Sequence, residues 1–536
     1  TGPVLKQRTY AMVLGGHLND GQVVVIAPAR TLGAVETAWY LRVGGNSAAI
    51  SIIELQSLPF WVDDRGGTLY LTETGPVTTA VLPSGNTGVL RTMAALIPDL
   101  VPVASVLHSG FGDASGLVEA WIGIGLFIGA LANWFIVAPR LREQTESYGN
   151  ALTIPEFLAN RFPDRAVALR VVSALIVVVF FAVYTAAGLV GGGKLFETSF
   201  AGLFGDVGMS DYMLGIWITA LVVLAYTMVG GFLAVSLTDF VQGLIMVVAL
   251  VVMPLVVMFG EGGSGGGSLT QVPVEGFLSL TNGLTVLGFI SAVTWGLGYF
   301  GQPHIIVRFM AIDTVAKVRP ARNIGMTWMG VALLGSIGIG IAGRAFTQRN
   351  GIVVEDPETI FIILSDLLFH PLITGFLYAA LLAAVMSTIS SQLLVSSSSL
   401  TEDFYRLFLR KEATDKECVN IGREGVVLVG LVAAVIASDP NSQVLALVSN
   451  AWAGFGAAFG PLIILSLMWP RTNGAGAIAG MVVGAATVMI WISLGWNGEF
   501  MGGPGVYEII PGFIAAFIAI VAVSMATEDA NEYQHI

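Results

Sequence analysis

The amino-acid sequence predicts an all-α integral membrane protein that crosses the bilayer many times. Of its 536 residues, 55% are hydrophobic and only 11% are charged, whereas a soluble domain carries about 25% charged residues. The mean hydropathy is +0.80. A soluble chain of this length would need much more polar surface, but helices that face lipid are apolar on their outer sides. The composition therefore indicates a polytopic helical bundle.

About eleven apolar runs are long enough to span a bilayer, which takes about 20 helical residues. They lie near 118–139, 167–193, 213–230, 237–259, 283–301, 325–345, 372–400, 422–437, 443–468, 474–494 and 507–525. Basic residues concentrate in alternate connections, which the positive-inside rule assigns to the cytoplasm. The residues assigned there are Arg140, Arg142, Arg161, Arg165, Arg170, Arg308, Lys317, Arg319, Arg322, Arg406, Arg410, Lys411, Lys416, Arg423 and Arg471. The opposite connections hold only Lys194 and Arg349, with Arg344 at a helix edge.

The two ends of the chain differ from this apolar region. Residues 1–113 carry charges every few positions and contain no uninterrupted apolar run of spanning length. We expect an atypical, non-spanning or poorly defined segment there, in which Thr68–Thr74 alternates like a strand and Pro83–Gly88 is typical of a turn. A transmembrane domain is expected at 114–527, followed by a cytoplasmic tail at 528–536.

Motifs for enzymatic chemistry are scarce. The five histidines are scattered along the chain, with no pair at metal-ligand spacing, and the single cysteine, Cys418, allows no disulfide framework. The sequence has no phosphate-binding loop, nucleophile elbow or dinucleotide fingerprint. It also has no basic patch interleaved with aromatic residues. The sequence predicts neither an enzyme nor a nucleic-acid-binding protein.

Hydroxyl side chains concentrate in one predicted span. Residues 386–399, MSTISSQLLVSSSS, contain seven serines and one threonine. Hydroxyl and carbonyl oxygens suit a hard monovalent cation, which needs several oxygen ligands but little formal charge. Ser387 and Thr388 are adjacent and follow Ala384 by one helical turn, so these residues are candidate cation ligands. The alternative is that the hydroxyls only form hydrogen bonds between helices.

A second unusual stretch is Trp295–Pro303, WGLGYFGQP. Three glycines and a proline near the end of a span predict a broken helix, and such breaks occur where backbone lines a cavity or a transporter binding site. Trp295 and Tyr299 lie four residues apart, so in an α-helix they would share one face. They would then form an aromatic wall for a small amphipathic solute, or belong to an interfacial aromatic belt.

Two further polar residues lie in apolar surroundings. Asp239 is near the start of the fourth predicted span, where an ionisable residue is often functional, although a position near the interface could simply be solvated. Tyr184 is in the middle of the second span, where its hydroxyl could meet a solute or bond to a neighbouring helix.

Several stretches together carry a resemblance to a known family. They are NALTIPEFLANRF (150–162), YTMVGGFLAVSLTDFVQ (226–242), GLGYFGQPHIIVRFMA (296–311), AALLAAVMSTISSQLLVSSSSLTEDFY (379–405) and AWAGFGAAFGP (451–461). From about Ala114 to about Thr527 the chain resembles the sodium/solute symporter family, and within it most closely the bacterial sodium/proline symporters.

The resemblance implies a fold of two inverted repeats of five helices, in the bacterial cytoplasmic (inner) membrane. It implies symport of a small solute, with proline favoured, by alternating access, and sodium as the co-transported ion. The implied sodium ligands are Ser387, Thr388 and the Ala384 carbonyl, which would form half of a site. The residues implied to line the proline pocket are Tyr184, Trp295, Tyr299 and Pro303. Asp239 matches a family aspartate near the ion path.

One region departs from the family pattern. Tyr10–Gly16 is similar to the loop that precedes the family's interrupted first core helix, but residues 17–113 do not match and contain no spanning run. A reading-frame shift or a true replacement would each explain this. Because that helix supplies the other half of the sodium site, a chain without it should bind sodium weakly or not at all. Two alternatives to a working symporter therefore stay open: a membrane-bound solute sensor and a transport-inactive remnant.

Overall fold

A computed structural model describes residues 24–28, 39–43, 46–50 and 116–527, apart from 152, 206–207, 261–275 and 355. At 230–234, 236–237 and 415, as in the three amino-terminal stretches, it describes the backbone only. The predicted strand at Thr68–Thr74, the predicted turn at Pro83–Gly88 and the predicted tail at 528–536 lie outside the described residues.

The amino-terminal stretches form a three-stranded antiparallel sheet with the order β1–β2–β3. The strands are β1 (Val24–Pro28), β2 (Trp39–Val43) and β3 (Asn46–Ile50). Val24 pairs with Val43, and Trp39 pairs with Ile50. These strands were not predicted from the sequence. These strands belong to one compact unit, which also includes residues 413–419, and the remaining described residues form a second.

Apart from this sheet, the described chain is mostly helical. Its first seven α-helices are α1 (Ala120–Ile136), α2 (Ala138–Ser147), α3 (Ile154–Arg161), α4 (Ala166–Ser199), α5 (Asp211–Phe259), α6 (Val286–Val293) and α7 (Pro303–Met310). The next seven are α8 (Val315–Arg349), α9 (Ile360–Leu368), α10 (Pro371–Ser398), α11 (Asp415–Ile436), α12 (Val444–Met468), α13 (Gly474–Ser493) and α14 (Ile509–Ala526). Short 3₁₀ turns, a π-helical extension of α10 (Ser399–Leu409) and a small hairpin, β4 (Glu499–Phe500) with β5 (Gly503–Pro504), complete it.

Ten helical stretches in the described part are long and apolar enough to span a membrane. They are Leu117–Ser147, Pro163–Ser199, Asp211–Val229, Thr238–Phe259, Val315–Arg349, Pro371–Leu409, Lys416–Ile436, Val444–Met468, Gly474–Ser493 and Ile509–Ala526. The predicted spans at 213–230 and 237–259 correspond to two of these, which lie within the continuous helix α5. The predicted span at 283–301 is instead a shorter apolar stretch, Val286–Phe300.

The centre of the bundle is α12. In its most apolar 18-residue window, 89% of the residues are buried, because small residues let neighbouring helices approach on several sides. Gly454 faces the ring of Phe180 in α4 so closely that a Cβ atom would collide with it. The Phe455 ring packs against Phe181 of α4, with ring centroids 4.4 Å apart. Helix α12 also touches the segment that follows α6, where a Cβ atom on Gly298 would collide with the Trp452 ring.

Candidate functional site

The predicted cation ligands lie together in the middle of α10. Ser387 is 1% exposed and Thr388 is 7% exposed. Both hydroxyls donate to the Ala384 carbonyl, over 3.0 Å from Ser387 Oγ and 2.9 Å from Thr388 Oγ1. A hydroxyl keeps two acceptor lone pairs while it donates. These oxygens can therefore bind a cation. A cation bound to the Ala384 carbonyl would displace the hydrogen bonds that the two hydroxyls donate to it.

A cavity lies between α4, α10 and α12, next to these oxygens. Ala384 and Thr388 contribute to its wall, together with Tyr184. The remaining lining residues are Ala187, Gly188, Gly191, Lys194, Glu358, Ile362, Leu381, Val385, Val444 and Val448. Tyr184 and Lys194 are ten residues apart in α4, so the cavity extends about 15 Å along this helix. It brings Tyr184 together with two of the three predicted cation ligands.

The helix break predicted at Trp295–Pro303 is confirmed. Helix α6 ends at Val293, a 3₁₀ segment covers Thr294–Phe300, and α7 begins at Pro303. Proline suits the first position of a helix because it has no N–H to donate. At Gly298 and Gly301 a Cβ atom would collide with α12, so these glycines permit the close packing of the break.

The two aromatic residues of the predicted wall, Trp295 and Tyr299, do not share one helix face. The prediction that they do assumed an α-helix, but a 3₁₀ helix has three residues per turn, so positions four apart do not lie on one face. Trp295 is half-buried and stacks on Tyr507, with ring centroids 4.9 Å apart. Tyr299 is fully buried and meets Trp452 edge to face, also at 4.9 Å. Trp295, Tyr299 and Pro303 are not among the residues that line the cavity described above.

One residue of α12 contacts both sides of the break. The indole N–H of Trp452 donates to the Trp295 carbonyl over 2.8 Å. The Trp452 carbonyl accepts from the Gln302 side-chain amide over 3.0 Å. Its ring packs on Tyr299 as described. The conformation of the break therefore depends on the position of α12.

Asp239 belongs to a buried ion pair and is not solvated at an interface. Its Oδ2 lies 3.1 Å from Arg308 Nη2, and the two side chains are 1% and 3% exposed. Ser391 Oγ bonds to both groups, at 2.8 Å from the guanidinium and 3.3 Å from the carboxylate. Arg308, which the positive-inside rule assigned to a cytoplasmic connection, is buried inside the bundle in α7. Ser391 is one turn beyond Ser387, which links this pair to the candidate cation site.

Two polar side chains beside Pro303 are buried with unused hydrogen-bonding atoms. Gln302 is fully buried, and its Oε1 has no partner among the described residues. His304 is 2% exposed, and within the same part of the chain neither ring nitrogen has a partner. The His304 ring meets Tyr184 edge to face, with centroids 5.8 Å apart. Helix α7 thus places the His304 ring next to the tyrosine that lines the cavity.

Charged residues surround the far part of the cavity. Lys194 Nζ lies 2.6 Å from Asp356 Oδ2 and 2.7 Å from Glu358 Oε2. The Glu358 carboxylate also accepts from the backbone N–H groups of Val444 and Leu445, each over 2.9 Å, where it caps the start of α12. This cluster joins α4, the turn before α9 and α12.

Sequence reasoning missed several residues that the structure brings to the site. They are Asn133, Gln302, His304, Arg308, Ser391, Trp452 and Tyr507. A signal existed for Arg308, because it is the only ionisable residue in the apolar run IIVRFM directly after the break. Trp452 belongs to the stretch 451–461 quoted above, but nothing in that stretch indicates contact with the break, and nothing local marks Tyr507. Both residues approach the break only through tertiary packing.

Comparisons with known proteins agree with this architecture. The profile of the "Sodium:solute symporter family" matches residues 87–484, so it begins within the segment whose motifs do not match. The osmoregulated proline transporter OpuE of Bacillus subtilis is 51% identical over 77% of this chain and 82% of its own. The high-affinity proline transporter PutP of the same organism is 52% identical over 81% and 92%. A sodium/proline symporter of Staphylococcus aureus is 50% identical over 78% and 81%.

A solved structure is similar in fold. The substrate-bound, outward-open form of a Na⁺-coupled sialic acid symporter superposes with a TM-score of 0.63, over 83% of this chain and 89% of that one. The sequences are only 17% identical, so this likeness concerns the fold alone. The sequence relatives, the family profile and the helical bundle agree. The chain belongs to the sodium:solute symporter family.

Proposed function

We propose that the chain carries out sodium-coupled symport of L-proline across the bacterial cytoplasmic membrane, with 114–527 as the transport domain. The observation that supports this most directly is the set of α10 oxygens beside the cavity, in a chain about half identical to named proline transporters. Hydroxyl and carbonyl oxygens match the ligand preference of a hard monovalent cation. The mechanism is alternating access, in which each state exposes the site to one side only.

Sodium binds at Ser387, Thr388 and the Ala384 carbonyl. Its entry replaces the two hydroxyl bonds to that carbonyl, which changes the local order of α10 beside the cavity. Binding of the two solutes is coupled reciprocally, so sodium tightens proline binding as much as proline tightens sodium binding. The membrane potential contributes about 2.3 kcal/mol per charge per 100 mV.

Proline binds between α4 and the helix break. Tyr184 contributes the wall on α4, and Trp295, Tyr299 and Pro303 contribute from the break. The aromatic rings suit the apolar face of a pyrrolidine ring, and backbone groups at a broken helix suit its polar groups. Asp239 lies on the ion path, where its pairing with Arg308 fixes the charge next to Ser391.

The decisive test is uptake of radiolabelled proline by proteoliposomes with and without an inward sodium gradient. We expect accumulation that depends on sodium, with a high half-saturating sodium concentration, because residues 17–113 do not match the helix that supplies the other half of the family's site. Binding of proline without uptake would favour a solute sensor, and neither binding nor uptake by a folded preparation would refute the symporter and indicate an inactive remnant.

Variants of the hydroxyls test the ion site itself. Ser387→Ala and Thr388→Ala should each raise the half-saturating sodium concentration about tenfold or more, while proline affinity at saturating sodium changes less. Ser466→Ala is a matched control, because Ser466 is also fully buried and donates to a carbonyl three residues earlier, but in α12. An equal loss of sodium and proline affinity in the α10 variants would contradict a dedicated ion role.

A further inference from the structure

One face of α1 lies against the broken segment. Gly125, Gly129 and Asn133 recur every four residues, so they lie along one side of the helix. That side faces the end of α6 and the 3₁₀ segment Thr294–Phe300. The three residues meet successive parts of the break in the same order as they occur in α1.

The two glycines allow direct backbone contact. A Cβ atom on Gly125 would come within 2.5 Å of the Val293 carbonyl oxygen and 2.6 Å of the Val293 Cα. A Cβ on Gly129 would collide with the backbone of Gly296, including its carbonyl oxygen. Such contacts leave no room for any side chain at either position. The start of the 3₁₀ segment therefore lies directly on the α1 backbone.

Asn133 adds a directional contact at the other end of the segment. It is 1% exposed, and its Nδ2 donates to the Tyr299 carbonyl over 2.9 Å. The amide orientation follows from this bond, because its oxygen would repel the carbonyl if the group were flipped. The bond therefore holds the backbone of Tyr299, which lies two residues before Gly301 and packs its ring on Trp452.

We propose that Asn133 is a positioning residue for the solute pocket. By donating to the Tyr299 carbonyl it holds the 3₁₀ segment in place against α1, and so sets the orientation of Trp295 and Tyr299. The expected effect on proline affinity rests on the proposed function. The structural part of the inference, the immobilisation of the segment, is independent of the solute.

The experiment uses the full chain with Cys418→Ala, which removes the single cysteine, and Leu297→Cys, which places a thiol in the 3₁₀ segment. Two readouts are taken: the maleimide labelling rate at position 297 and the dissociation constant of proline. Asn133→Leu removes the donor with little change in volume, and Asn133→Gln retains an amide. The control is Asn473→Leu, because Asn473 Nδ2 also donates to a carbonyl of another helix, Ser524 O, at 3.3 Å, although this half-buried side chain also caps the start of α13.

For Asn133→Leu we expect labelling at least fivefold faster and proline affinity at least tenfold weaker, equivalent to about 1.4 kcal/mol. Asn133→Gln should recover part of both, and the control at position 473 should change neither. Unchanged labelling in Asn133→Leu, or an equal change in the control, would overturn the positioning role. If the parent chain bound no proline, the proposed function would fail, and the labelling rates would still decide whether Asn133 holds the segment.

Discussion

Replacement of Arg308 by methionine tests the buried ion pair in the most demanding way. The substitution keeps much of the apolar stem but removes the charge that faces Asp239. Both side chains are almost fully buried, and the atoms that pair are 3.1 Å apart. Removal of one partner from such a pair leaves an uncompensated buried charge and destabilises by about 3–5 kcal/mol. We expect a loss of this size in the free energy of unfolding.

The double variant Arg308→Met/Asp239→Asn separates the cost of losing the ion pair from the cost of leaving one charge buried without a partner. Because no charge then remains buried, most of the stability should return. The assay is denaturant-induced unfolding of purified protein in detergent micelles, monitored by tryptophan fluorescence. Arg406→Met is the matched control, since Arg406 pairs with Glu402 at the same 3.1 Å but with side chains 42% and 34% exposed. An exposed pair of this kind contributes about 0–1 kcal/mol.

Two results would refute the reasoning. If Arg308→Met were as stable as Arg406→Met, the Asp239 carboxylate would not depend on the guanidinium for compensation. If the double variant were no more stable than Arg308→Met, the cost would arise from packing of the arginine stem and not from a stranded charge.

Three further changes have defined outcomes. Gly129→Ala should lower the free energy of unfolding by about 1–3 kcal/mol. Gly330→Ala should not, because a Cβ atom at that position would lie 3.4 Å from its nearest neighbour. Equal unfolding midpoints for the two variants would contradict the close backbone contact at Gly129. Lys194→Met should lower the free energy of unfolding by about 2 kcal/mol, which is less than the loss expected on breaking a fully buried pair, because Glu358 still caps the start of α12. An unchanged melting temperature would contradict this. Burial raises the pKa of the Glu508 carboxyl, just before the span Ile509–Ala526, from 4.5 to about 7. The contribution of the protonated carboxyl to stability is therefore complete below pH 4.5 and lost as the pH rises through 7. Glu508→Gln should flatten the fall in melting temperature from pH 5 to 8. An identical slope in this variant would show that the Glu508 carboxyl does not cause the fall.

The helix break and the hydroxyl-rich span could be predicted because their causes are local. Glycine and proline at Trp295–Pro303 alter backbone preferences whatever surrounds them, and clustered hydroxyls in an apolar run need oxygen or nitrogen partners nearby. The type of helix in the break was not predictable in the same way. It depends on contact with α1 and α12, and the predicted common face for Trp295 and Tyr299 failed for that reason.

The ion pair of Asp239 with Arg308 could not be predicted from spacing. The two residues are 69 positions apart and meet because α5, α7 and α10 pack together. The positive-inside rule treated Arg308 as a loop residue, since its assignment relies on distance from the apolar run and not on burial. The three amino-terminal strands were also missed, because strand pairing depends on register between segments and the local alternation there is weak.

The contacts of Trp452 have a kinetic consequence. Its indole N–H, its carbonyl and its ring engage three different residues of the break, so displacement of α12 would disrupt all three together. Contacts that are lost together favour two discrete arrangements over a continuous series. Exchange between them should then follow a single exponential on the microsecond-to-millisecond scale that is typical of collective helix motions. Intermediate distances between α12 and the break should be sparsely populated at any sodium concentration.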